Sequence, residues 1–177
     1  MLETKRLQIL PPSLKLQPLI LAAIVESQND LKQFLAWVPS SLTVEASIKN
    51  TEQAIANFQD FDNELRFSLI AKASGQFVGA IGLIIRDKQI PFFEMGYWLR
   101  SSCVGFGYMS EAVVTLEDYA FNVLKAKRVE IKMAENNWKS RAVAERCGYV
   151  YEGTHKNDRM LPNGKISNTV VYAKTSL

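Results

Sequence analysis

The sequence predicts a mixed α/β domain in which a three-strand meander is followed by a strand–helix–strand unit. Three observations carry this reading. Residues 65–72, 77–86 and 91–100 are apolar, strand-like runs separated only by short turn signals. Residues 107–124 hold the clearest helical stripe, with Met109, Ala112, Val113, Leu116, Tyr119, Ala120, Val123 and Leu124 recurring at spacings of three and four. Residues 128–134 then alternate Val129, Ile131 and Met133 with Arg128, Glu130 and Lys132, the period of a strand.

The remaining elements follow in chain order. Thr4 to Leu10 alternates as a first strand and stops at Pro11-Pro12. Residues 13–60 read as helices over 14–27, 29–37 and 44–61, with Pro39 separating the last two and Ser41 or Thr43 available as a cap. Ser74-Gly75 and Asp87-Lys88 supply the turns of the meander. A short helix from about Trp138 to Cys147 ends at Gly148, and residues 149–156 and 166–174 form a hairpin around Pro162-Asn163-Gly164. On the long helix, Glu117 beside Phe121 reads as part of a solvated face.

Composition narrows the function classes. The chain has 177 residues, 47% apolar and 22% charged, with no repeat or low-complexity linker, so we read 1–177 as one globular domain. At this length roughly 70% of the extended-chain surface is buried on folding, enough for a core without disulfide staples. The longest apolar run, Phe77 to Ile85, is far short of the about 20 residues a membrane helix needs. Lys5 and Arg6 precede an apolar stretch, but Pro11 and Pro12 break it before any cleavage signal, so a cytoplasmic protein is expected. Two scattered cysteines, Cys103 and Cys147, fit a reducing compartment, and the single histidine, His155, leaves no His-rich metal site. Residues 1–90 balance nine Lys/Arg against nine Asp/Glu, whereas residues 91–177 hold twelve against nine. That excess is too weak for a nucleic-acid binder, and neither nucleic acid nor membrane is expected as a partner.

The excess coincides with an anion-binding signal. Between the third meander strand and the long helix lies Arg100-Ser-Ser-Cys-Val-Gly105-Phe-Gly107-Tyr-Met-Ser-Glu111. Two glycines two apart let the backbone turn sharply and gather N–H groups, and the helix adds its positive end, so a phosphate or diphosphate fits. A turn built for geometry alone fits the same residues. No Lys follows the glycines as a nucleoside-triphosphate loop requires, and Ser110 stands where a dinucleotide fingerprint needs its third glycine.

The segment Glu94-Met-Gly-Tyr-Trp-Leu, the loop Gly105-Phe-Gly107-Tyr108-Met-Ser-Glu111-Ala, Asn137-Trp-Lys-Ser140 through Gly148-Tyr149, and Glu152-Gly153 follow one another in order. This series resembles the GNAT superfamily of N-acetyltransferases, and within it the branch of the RimJ and RimL ribosomal-protein N-terminal acetyltransferases. The strong match covers residues 92–153; Glu3-Thr-Lys-Arg-Leu and Leu35-Ala-Trp37-Val-Pro39 extend it loosely over the chain. The resemblance implies a GNAT-like domain with a mixed, mostly antiparallel sheet of six to seven strands.

It also implies an acetyl-CoA-dependent transfer to a primary amine, such as the N-terminus of a ribosomal or other protein. A polyamine or amino-sugar acceptor, or a CoA-binding module without catalysis, are the alternatives, and a monomer or homodimer is expected. Val104, Gly105, Phe106, Gly107, Tyr108 and Met109 would hold the cofactor's diphosphate, and Asn137 its pantetheine arm. Family members commonly carry Gln or Arg at the position of Ser102 and a basic residue at that of Phe106, so less side-chain charge is expected here. Glu94 would be the general base, acting directly or through a water, and Ser140 the donor to the departing thiolate. Glu94 shares a strand face with Phe92, Gly96 and Trp98, whose rings would desolvate it; pairing with Arg86 or Arg100 is the plainer account of the same residue. Asn137 and Ser140 equally fit simple helix capping. Trp37 and Trp98 would line the acceptor pocket or the core. Cys103 and Cys147 read as non-catalytic, and His155 as a surface residue.

Overall fold

A computed structural model describes residues 2–177. Eight strands form one sheet: β1 (Leu2–Glu3), β2 (Leu7–Leu10), β3 (Glu64–Ala71), β4 (Phe77–Asp87), β5 (Phe92–Leu99), β6 (Arg128–Ala134), β7 (Val150–Met160) and β8 (Ile166–Lys174). Their order is β1-β2-β3-β4-β5-β6-β8-β7, antiparallel throughout except for the parallel β5–β6 pair. That pair needs a crossover, which is α3 (Tyr108–Asn122), while α1 (Gln17–Leu31) and α2 (Val44–Asp60) lie between β2 and β3, and α4 (Trp138–Arg146) follows β6. The meander, long helix and mixed sheet appear as predicted.

The count of eight arises because an additional strand, Leu2–Glu3, precedes the one predicted over Thr4 to Leu10, which itself begins only at Leu7. Thr4 accepts through its Oγ1 from the Leu7 amide at 2.8 Å and folds Leu2–Glu3 back as a separate strand against β2. The helices predicted over 14–27 and 29–37 are also revised. Leu14–Leu16 is a 3-10 turn capped by Ser13, Pro18 occupies the first turn of α1, and α1 then runs unbroken to Leu31. Residues 33–37 form only turns, leading to a 3-10 segment at Val38–Ser41 where Pro39 removes a donor. Thr43 caps α2, accepting from the Ala46 amide at 3.2 Å.

Alternation sorts the sheet's side chains between two helical layers. Leu7, Ile9, Phe67, Leu69, Leu83, Phe93 and Met95 pack in one core with Met109, Val113 and Leu116 of α3 and with Val143 and Ala144 of α4. Ile70, Phe77 and Ala80 face Ala23 and Ile20 of α1 on the opposite side. A fully buried Leu or Phe contributes about 1.5–3 kcal/mol, so the larger core on the α3 side dominates stability. No helix among the described residues is long and apolar enough to cross a membrane.

Glu117 is a correction to the solvated face read from sequence. It is 4% exposed, and Lys174 of β8 donates to its Oε1 at 2.8 Å. Positions 113, 116, 117 and 120 share one helical face, so the stripe itself carries Glu117 inward. Replacing Lys174 with Met strands a buried carboxylate, and we expect a loss of about 3 kcal/mol. For a domain of this size that lowers Tm by about 6–12 °C in calorimetry, most of which Glu117→Gln in the same chain restores.

Candidate active site

Strands β5 and β6 pair only at Phe92–Arg128, Phe93–Val129 and Glu94–Glu130, and part beyond that point. Glu94 and Trp98 face the α1 side, paired opposite Ile84 and Ala80 of β4, while Tyr97 faces the α3 side opposite Ile81. Two clefts meet where the strands separate. One, of about 460 Å³, contains Glu94, Lys132, Trp37 and Trp98. The other, of about 780 Å³, runs along the loop before α3 and the start of α4. Phe34, Leu35, Tyr97, Trp98, Asn137 and Ser140 line both, so Ser140 stands at their junction.

Glu94 has cations for partners where aromatic neighbours were expected. Arg86 donates to its Oε2 at 2.5 Å and Lys132 lies 3.3 Å from the same oxygen. Lys132 in turn contacts Glu130 at 2.7 Å, and Arg128 bridges Glu130 to Glu152. Burial alone would favour neutral Lys132; the carboxylates of Glu130 and Glu94 outweigh it and hold the ammonium charged above its usual range. The pairing with Arg86 weighed from sequence is thus present, and it leaves the carboxylate at the wall of the first cleft.

Ser140 and Asn137 open α4. Asn137 caps it, its Oδ1 accepting from the Ser140 amide at 3.3 Å. The hydroxyl of Tyr97 donates to the Ser140 carbonyl and accepts from Ser140 Oγ, both at 3.1 Å. Burial pushes the Tyr97 phenol well above its ordinary range, with the Ser140 hydrogen bond offsetting only part, so it keeps its proton at neutral pH. Sequence reasoning missed Tyr97 as a site residue. Tyr97 lies within Glu94-Met-Gly-Tyr-Trp, on the strand face opposite to that of Glu94.

The loop before α3 has the geometry of an anion cradle. Gly105 and Gly107 hold φ of +92° and +77°. None of the amides of Gly105, Phe106, Gly107, Tyr108, Met109 and Ser110 meets an acceptor among the described residues. The last three begin α3, whose axis adds its positive end. Val104 lies beside them on the wall of the second cleft, and Lys139, Arg146 and Asp30 are the charged residues lining that cleft. Lys139 and Arg146 were not singled out from sequence. Phe106 is 61% exposed, and Ser102, outside that lining, gives its hydroxyl to Glu26 at 2.8 Å. A diphosphate fits this donor set: unpaired amides at a helix start with two flanking cations.

The family model described as acetyltransferase (GNAT) domain matches residues 6–150. The chain belongs to the GNAT acetyltransferase family. Like other members of that family it is an acetyl-CoA-dependent N-acetyltransferase. This GNAT chain is 31% identical over 154 residues to the putative ribosomal N-acetyltransferase YdaF of Bacillus subtilis, covering 85% of this chain and 80% of that one. It is 26% identical over 151 residues to the ribosomal-protein-serine acetyltransferase of Escherichia coli, covering 85% and 82%. Among solved structures, the microcin C7 self-immunity acetyltransferase MccE, in complex with acetyl-CoA and AMP, superposes with a TM-score of 0.89 at 26% identity, covering 97% and 93%.

The other conspicuous residues keep plain roles in this GNAT domain. Cys103 and Cys147 are buried, and burial followed by the charge of Glu117 pushes the Cys147 thiol up, away from reactive thiolate. His155 is exposed and its Nδ1 lies 3.2 Å from Asp158. Trp37 and Trp98 line the first cleft with ring centroids 6.1 Å apart.

Proposed function

We propose that this enzyme acetylates the N-terminal amine of a protein, of the ribosomal-protein kind, by direct general-base-assisted attack in the cytoplasm. The observation that supports it is the meeting of two clefts: one bears a carboxylate, Glu94, the other the unpaired amides before α3, and Ser140 lies where they join. The names of the YdaF and Escherichia coli relatives support a ribosomal acceptor.

Acetyl-CoA supplies the acetyl group as a thioester. In this reading the amides of Gly105 to Met109, with Val104 beside them, bind its diphosphate. Asn137 keeps its Nδ2 hydrogens for the pantetheine arm while Oδ1 caps α4. Glu94 takes the ammonium proton of the acceptor, through a water where the acceptor stands back from the strand. Ser140 turns its hydroxyl from Tyr97 toward the departing sulfur, and Tyr97, still held by the Ser140 carbonyl, keeps the backbone in position.

Incubating the enzyme with acetyl-CoA and peptides carrying free or blocked N-termini tests the acceptor. Turnover confined to the free peptides supports the reading, whereas turnover only with small amines defeats it. That second reading, a small-molecule amine, draws on the nucleotide held by the MccE complex. For Ser140→Ala we expect kcat to fall about tenfold with KM for acetyl-CoA little changed, since a single neutral donor is lost. Steady-state rates with a fixed peptide check it.

A further inference from the structure

The hairpin formed by β1 and β2 reaches the loop before α3 through one residue, Arg6. Its Nη1 donates to the carbonyl oxygen of Phe106, between the two glycines, at 2.9 Å. Its Nε donates to Glu111 Oε2 at 2.7 Å, with Nη2 at 2.6 Å from the same atom. The guanidinium also lies over the Tyr108 ring, 4.7 Å from its centroid. Thr4 completes the cluster, donating its hydroxyl to Glu111 Oε1, which also accepts the Arg6 amide at 2.9 Å. Each carboxylate oxygen of Glu111 is thereby occupied.

These contacts bear on the cradle in two ways. A peptide carbonyl between two left-handed glycines can turn toward a bound anion and repel it; Arg6 ties that carbonyl to itself. Glu111 lies in the first turn of α3, where a free carboxylate would compete with a diphosphate for the helix's positive end. Burial would raise its pKa, yet the Thr4 hydroxyl and the donors and charge of Arg6 hold the carboxyl below the usual range, so it is an anion that needs its partner.

We propose that Arg6 is a positioning residue for acetyl-CoA, acting through the Phe106 carbonyl and Glu111 to keep the loop amides and the start of α3 available to the diphosphate. The proposal rests on the reading that this loop holds the diphosphate. Glu3-Thr-Lys-Arg-Leu is then a working part of the cofactor site although it lies about a hundred residues from the loop in sequence.

The test compares acetyl-CoA with S-acetylpantetheine, which carries the same thioester but no diphosphate, in wild type, Arg6→Gln, Arg6→Lys and Arg6→Gln/Glu111→Gln. Wild type should strongly prefer acetyl-CoA. Arg6→Gln should raise KM for acetyl-CoA about tenfold with kcat nearly unchanged and S-acetylpantetheine turnover unaffected. Arg6→Lys, keeping charge without the forked grip, should fall between. Removing the Glu111 charge as well should recover part of the loss. Each variant serves as its own folding control, because general damage lowers turnover of both thioesters alike. Wild type using both thioesters equally would overturn the loop reading and the proposal together. Wild-type preference retained intact in Arg6→Gln, or equal loss on both thioesters, would overturn the proposal alone.

Discussion

Glu94→Gln is expected to lower kcat by about 10²–10³-fold while leaving acetyl-CoA binding within about twofold, the pattern of a lost general base. The amide keeps an oxygen acceptor and nearly the same shape, so Arg86 and Lys132 retain a hydrogen-bond partner while proton acceptance disappears. Glu94 is on the opposite side of the sheet from α3 and outside the second cleft's lining, which is why cofactor affinity should survive. Steady-state kinetics with a peptide acceptor, paired with calorimetric titration of acetyl-CoA, separates the two quantities. Full activity in this variant would remove Glu94 from the mechanism. The carboxylate would then be an ordinary member of the charge chain Arg86, Glu94, Lys132, Glu130, Arg128 and Glu152.

Gly107→Val should be the most damaging change to cofactor binding, weakening acetyl-CoA by about 100-fold, or roughly 2.7 kcal/mol. A β-branched residue is a genuine outlier at φ +77°, and relieving the strain turns the amides on either side away from one another. The added Cβ would lie 3.6 Å from Arg6 Nη2, an ordinary contact, so the backbone strain carries the effect. Gly75→Val is the matched control. Its φ of +67° carries a similar backbone penalty, nothing lies within 4 Å of its would-be Cβ, and it sits in the turn between β3 and β4. Both variants should lose a few degrees of Tm, but only the first should lose acetyl-CoA in a titration. Equal retention of binding in both would show that the loop amides do not hold the diphosphate.

The second half of the chain was legible because its elements announce themselves locally. The stripe from Met109 to Leu124 and the alternation of 128–134 need no distant partner, and α3 and β6 fall within two residues of those limits. The region between β2 and β3 was harder because its decisive contacts are remote. Ser27 looked like a helix end; its buried hydroxyl instead accepts from the Ser101 amide, 74 positions away, at 2.8 Å, and α1 continues past it. Within the site, the glycine pair and the Asn137 cap could be read from residue type and spacing. Tyr97 and Arg6 could not, since each matters through contacts formed by topology: Tyr97 with Ser140, and Arg6 with the Phe106 carbonyl and Glu111. Glu117 is the opposite case, a residue whose burial the helical period already implied.

The arrangement of the two clefts has a kinetic consequence. They extend in different directions from a common wall at Tyr97, Asn137 and Ser140, so thioester and acceptor can be held at once. No accessible thiol interrupts that wall to carry the acyl group between visits, both cysteines being buried. Initial-rate plots with both substrates varied should therefore give intersecting rather than parallel lines, the signature of a ternary complex.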